Sequence, residues 1–163
     1  MRIFGVDPGT GKLGYGMINI DAGQLKMVGY GCIKTPTTMA LSQRLCVIFK
    51  EFQKLIKEFQ PDIVAIEKLF FARNVTTAMG VSEARGVIVL AAALADINIQ
   101  EFTPLQVKQA ITGYGRAEKG QIQRMVQKIL GLDKTPRPDD AADALAIAIT
   151  CAAVASKWRG KNA

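Results

Sequence analysis

Four acids stand where an acid calls for a reason. Asp7 ends the short apolar run Arg2-Ile3-Phe4-Gly5-Val6 and opens onto the turn Pro8-Gly9-Thr10-Gly11. Glu67 ends a second apolar run, Ile63-Val64-Ala65-Ile66, and Asp140 and Asp143 border and interrupt the alanine-rich stretch from Ala141 to Ile149. Each has a plain structural reading to set against a chemical one. Asp before Pro-Gly starts a turn and bonds its own backbone. Asp139 or Asp140 as a helix N-cap is worth about 1 kcal/mol. Asp143 is harder to place that way, because a carboxylate on so apolar a helix is costly if buried unpaired. Asp140 and Asp143 are three apart and share a helix face, where parallel carboxylates repel. A divalent cation would relieve that repulsion, and the chemistry it brings is hydrolysis by a metal-activated water. Histidine is absent from the chain, so the commonest general base and the imidazole metal ligand are both missing. Hydrolysis here has to rest on carboxylates, lysine or a metal held by oxygen.

Positioning such acids requires a sheet. Arg2 to Val6 reads as a buried strand, Leu13 to Ile20 as a second and Leu25 to Ile33 as a third, joined by short turns into an antiparallel meander. Leu41, Leu45, Ile48, Phe52, Leu55 and Phe59 recur at helical spacing and predict one amphipathic scaffold helix, broken at Pro61-Asp62. The continuous apolar run from Ile63 to Ile66 predicts an interior strand parallel to the first. Neighbouring parallel strands end on one edge of a sheet, so Asp7 and Glu67 are expected to meet there. A helix from Thr76 or Thr77 to about Ala95 is apolar on more than one face, which predicts burial on two sides, within the domain or between subunits. Ile97 to Phe102 is a fifth strand. Thr103-Pro104 opens a helix over Leu105 to Ile111, a second follows from about Lys119 to Leu130, and the last runs from Ala141 to about Ser156.

The chain has 163 residues, 49% hydrophobic and 21% charged, enough for one domain over residues 1–163 with a real core. No long uncharged apolar run predicts a membrane span, so a soluble cytoplasmic protein is expected, with Cys32, Cys46 and Cys151 reduced. The formal charge is +7 and the pI near 9.5, which favours a polyanionic partner, nucleic acid first. Cations gather around the turn Gly113-Tyr114-Gly115: Lys108, Arg116, Lys119, Arg124 and Lys128. They read as a solvated basic face or as phosphate contacts at helix N-termini. Phe70 and Phe71, beside Arg73 and Asn74, fold back into the core or stack against bases.

Three glycine motifs overlap the first turn. Gly9-Thr10-Gly11-Lys12-Leu13-Gly14 matches the dinucleotide pattern, but a strand follows it where that pattern needs a helix. A P-loop fails because Leu13 stands where a magnesium-binding Ser or Thr belongs. The phosphate loop of sugar kinases and actin-like ATPases uses the same strand-turn-strand and stays as an alternative, although such enzymes need a second similar domain. A non-catalytic module that only binds nucleic acid is the other alternative; it accounts for the charge but not for four acids.

In this order and spacing, Gly5-Val6-Asp7-Pro8-Gly9, Ala65-Ile66-Glu67, Gln106-Val107-Lys108-Gln109, Ala117-Glu118-Lys119 and Asp140-Ala141-Ala142-Asp143-Ala144-Leu145-Ala146 resemble the RuvC family of Holliday junction resolvases, within the RNase H-like superfamily. The resemblance runs from the first strand to about Ala155. It implies an α/β, RNase H-like fold: a five-stranded mixed sheet, three antiparallel strands then two parallel, flanked by helices on both faces. It implies that Asp7, Glu67, Asp140 and Asp143 bind two Mg²⁺ per subunit, with Mn²⁺ able to substitute. Lys108 and Lys119 match basic positions near the cleaved strand, and Phe70 matches an aromatic that stacks on or wedges into the junction. Phe71, Arg73, Asn74 and Arg116 are the further expected DNA contacts. The implied partners are four-way junction DNA, a second copy of the chain built partly on the Thr76 to Ala95 helix, and branch-migration proteins. The implied reaction is symmetric nicking that leaves a 5′-phosphate and a 3′-hydroxyl.

Overall fold

The computed structural model describes residues 1–68 and 75–161, without the side chains of residues 75–77 and 156–161. Ten elements follow in order: β1 (Arg2–Asp7), β2 (Lys12–Asp21), β3 (Gln24–Lys34), α1 (Leu41–Phe59), β4 (Ile63–Glu67), α2 (Val75–Leu94), β5 (Asn98–Phe102), α3 (Pro104–Thr112), α4 (Lys119–Ile129) and α5 (Asp139–Lys161). The five strands form one sheet in the order β3-β2-β1-β4-β5. β1 pairs antiparallel with β2, and β2 with β3. β1 pairs parallel with β4, and β4 with β5.

The period of two along β1 and β4 divides the molecule into two cores. Phe4, Val6, Val64 and Ile66 point toward α1 and α2, where Ile48, Phe52, Ala84 and Ile88 close the layer. Ile3 and Ala65 point the other way, joining Val107 of α3, Ile122 and Val126 of α4, and Leu145 and Ala148 of α5. Each large side chain buried in this way contributes roughly 1.5–3 kcal/mol. The alternation has a further consequence: Asp7 shares parity with Ile3, and Glu67 with Ala65, so both acids belong to the face covered by α5.

α5 lies hard against that face because β1 and β2 present glycine there. A Cβ on Gly5 would fall 2.0 Å from the Ala144 carbonyl oxygen, and one on Gly14 would fall 2.0 Å from that of Asp140. No other residue leaves room for helix backbone at that distance.

One expectation needs correcting and one is narrowed. α5 opens two residues earlier than Ala141: the Pro138 carbonyl accepts from the N–H groups of Ala141 and Ala142, so Asp139 and Asp140 occupy the first turn and neither is the N-cap. α2 is not covered on two sides within the chain. Ala84, Ile88, Ala91 and Ala92 are buried, whereas Met79, Leu90 and Leu94 are 61%, 54% and 67% exposed along the opposite face. The cap at Thr103 is as the sequence predicts, with Gln106 and Thr103 exchanging side-chain and backbone hydrogen bonds ahead of Pro104.

Candidate active site

The last paired residues of β1 and β4 are Val6 and Ile66, one step before Asp7 and Glu67. The two carboxylates therefore leave adjacent parallel strands at one edge of the sheet, on one face. α5 supplies the rest. Gly14 pairs with Asp7 across β1 and β2, and the Asp140 backbone rests on Gly14. One helical turn later comes Asp143. Asp7, Glu67 and Asp143 line a single hollow of about 210 Å³ with Lys108 and Lys119, walled by apolar Val107, Ile122 and Ile147. Asp140 lines an adjoining open hollow with Lys12, Arg137 and Asp139, and Lys119 borders both.

The electrostatics are those of crowded negative charge. Burial pushes the Asp7 carboxyl from 3.8 up to about 7, helped by Glu67, Asp143 and Asp140 and opposed by Lys119. Burial, then Asp143, raises Glu67, again against Lys119. Asp143 is raised as well, since its burial outweighs the Lys119 ammonium bonded to it at 2.8 Å. That same bond holds the Lys119 proton more firmly than usual. Among the described residues no three acids close on one point as metal ligands do. The carboxylates share a pocket but stand apart, as unscreened like charges do, and Lys119 takes up part of the charge. The donor set itself fits a hard divalent cation, being all carboxylate oxygen with negative charge in excess.

Of the other sequence-predicted residues, Arg116 lies exposed in the turn between α3 and α4 and lines neither hollow. Phe70, Phe71, Arg73 and Asn74 lie outside the described residues. Asp139 accepts from Arg137, sits 3.9 Å from Lys119 and lines the same open hollow as Asp140. The sequence reading missed Lys12 and Arg137 at this rim, as well as a brace behind the first turn. There Thr35, almost fully buried, donates to the Thr10 carbonyl and accepts from Arg44 Nε at 3.0 Å. No local pattern announces contacts between residues so far apart in sequence.

A sheet of this order with carboxylates at the edge of its central strands and a helix of acids laid over them is the RNase H-like arrangement of junction-resolving nucleases. Residues 3–151 match the family described as crossover junction endodeoxyribonuclease RuvC. A RuvC from Syntrophomonas wolfei is 54% identical over 149 residues, covering 91% of this chain and 87% of its own. The solved Thermus thermophilus RuvC is 36% identical with a TM-score of 0.89, covering 96% of each chain. The same protein in complex with Holliday junction substrate matches at 33% identity and a TM-score of 0.88, again over 96% of each chain. The chain belongs to the RuvC family.

Proposed function

We propose that this chain, a Holliday junction resolvase of the RuvC family, nicks two strands of a four-way junction symmetrically through a divalent-metal site formed by Asp7, Glu67, Asp140 and Asp143. The observation that carries the residue assignment is the shared hollow: two acids at the ends of adjacent parallel strands and one from α5, lined also by two lysines. Mg²⁺, with Mn²⁺ as substitute and two ions per subunit, suits such oxygens; once bound, it supplies an activated water and a Lewis acid at the leaving 3′-oxygen.

The chain's own residues do the remaining work. Asp7 and Glu67, set on paired strands, are rigid donors that need no loop to order them. Asp143 begins paired with Lys119. With Asp143 engaged by a cation, the Lys119 ammonium would be free for a phosphate oxygen, where it and Lys108 would offset the charge that grows in the transition state. Val107, Ile122 and Ile147 wall the hollow with apolar side chains, which strengthens those interactions. The products are a 5′-phosphate and a 3′-hydroxyl. Phe70, Phe71, Arg73, Asn74 and Arg116 are proposed to contact the DNA around the crossover.

Two symmetric cuts call for two sites related by a two-fold axis. The exposed face of α2 carrying Met79, Leu90 and Leu94 supports a homodimer built there. Branch-migration proteins of the same pathway are the expected further partners, and the cytoplasm is the expected place of action. The test is a labelled four-way junction incubated with Mg²⁺ or with EDTA. Paired nicks at symmetric positions, seen only with metal, are expected; metal-independent cutting would overturn the site.

A further inference from the structure

Away from the acids, α4 carries a second feature. Gln121, Arg124 and Lys128 fall at intervals of three and four, so they form one outward stripe, and all three are exposed. With Thr112, the last residue of α3, and Tyr114 from the turn after it they line an open hollow of about 290 Å³. Its lining contains two cations and no acid. Among the described residues neither Arg124 nor Lys128 enters an ion pair, although Lys26, Lys54, Arg85, Lys119 and Arg137 all do. Gln121 accepts from the Glu118 backbone N–H through Oε1 at 2.9 Å, which leaves its amide NH₂ as a donor. Tyr114, 58% exposed, adds a hydroxyl. The Thr112 hydroxyl is spent on backbone carbonyls, but Tyr114, Gln121, Arg124 and Lys128 each have a donor to offer, and donors with unpaired positive charge match phosphate oxygens.

The placement matters as much as the chemistry. α4 begins at Lys119, inside the acid site, and Lys128 lies nine residues on, about 13 Å along the helix axis at 1.5 Å per residue and half a turn round from Lys119, on the outward side. Duplex DNA advances about 3.4 Å per base pair, so that length spans about four base pairs. We infer that the Tyr114–Gln121–Arg124–Lys128 face of α4 is a second DNA-contact surface, gripping the phosphate backbone of the duplex arm that leaves the cleavage site. This rests on the nuclease reading above and adds to it a track for the arm.

The test compares the intact chain with Arg124→Gln/Lys128→Gln and with a control pair on α1, Lys50→Gln/Lys54→Gln. Junction affinity is measured across a salt series with Ca²⁺, and single-turnover cutting at saturating protein with Mg²⁺. The slope of log affinity against log salt should shrink by about 1.8 for the α4 pair, at about 0.9 per phosphate contact. The α1 pair should leave the slope unchanged, and saturated cutting should stay within about twofold for both. Neutral methylphosphonates placed two to four base pairs from the cut should weaken the intact chain and leave the α4 variant unaffected, since that coupling is already lost. An α4 slope equal to that of the control, with cutting intact, overturns the inference alone. Failure of the unmutated chain to cut with Mg²⁺ overturns it together with the nuclease reading.

Discussion

The Lys119 ammonium opposes the rise of the Asp7, Glu67 and Asp143 carboxyls alike. In the chain without metal it is the natural counter-ion of the site, and its bond to Asp143 is a charge-assisted one. Removing it should therefore separate two effects. Lys119→Gln is expected to lower saturated cutting by about 10²-fold, the scale on which a single stabilising donor is lost. The same variant should bind Mn²⁺ more tightly in the absence of DNA, because the metal no longer displaces an ion pair; titration calorimetry reads both sign and size. Asp143→Asn and Asp7→Asn should lose cutting while keeping junction binding, measured by gel shift beside a nicking assay. Asp7 also makes a prediction about pH. Its carboxyl is raised to about 7 in the folded chain, so the proton is held more tightly folded than unfolded. That contribution to stability is complete below about pH 4 and disappears as pH rises through 7. Thermal unfolding in EDTA should show the midpoint falling over that window, more steeply than in Asp7→Asn, and excess Mn²⁺ should flatten the fall.

At the scale of elements, the site depends on how closely α5 approaches β1 and β2. Gly14→Ala sets a methyl group against the Asp140 carbonyl, and Gly5→Ala does the same at Ala144. Overpacking of this kind costs about 1–3 kcal/mol, a drop of several degrees in melting temperature. Both variants should also weaken Mn²⁺ binding, because Gly14→Ala pushes Asp140 itself and Gly5→Ala pushes Ala144, the residue next to Asp143. Much of this arrangement was readable from the sequence. Apolar runs ending in Asp7 and Glu67, a helical stripe from Leu41 to Phe59 and an acid on an alanine-rich helix each carry a local period. What was not readable has a common cause. That Gly5 and Gly14 seat a helix some 130 residues away depends on packing, which a strand's own period does not encode. The start of α5 was misjudged because Asp-Asp after Pro reads as a cap, whereas the Pro138 carbonyl already accepts the first helical bonds.

For the whole molecule, charge and symmetry govern the behaviour. A chain of net charge +7 is drawn to DNA of any shape, so selectivity for a four-way junction has to come from geometry rather than attraction. Met79, Leu90 and Leu94 form the apolar face through which two copies would set their acid pockets at a fixed separation. Leu90→Glu/Leu94→Glu should give a monomer by sedimentation that still folds, since both side chains are exposed in the single chain, and it should make single nicks in place of paired ones. A variant that stays dimeric would move the interface to another face.

Carboxylates from the ends of β1 and β4 and from α5 are proposed to hold divalent metal at the scissile phosphate. Anomalous diffraction from crystals of the protein bound to junction DNA in Mn²⁺ addresses it most directly. Metal peaks are expected within coordination distance, about 2.0–2.3 Å, of Asp7, Glu67 and Asp143 oxygens, with Lys119 turned from Asp143 toward phosphate. Manganese bound elsewhere, with Lys119 still on Asp143 in a crystal whose DNA has been cut, would contradict it.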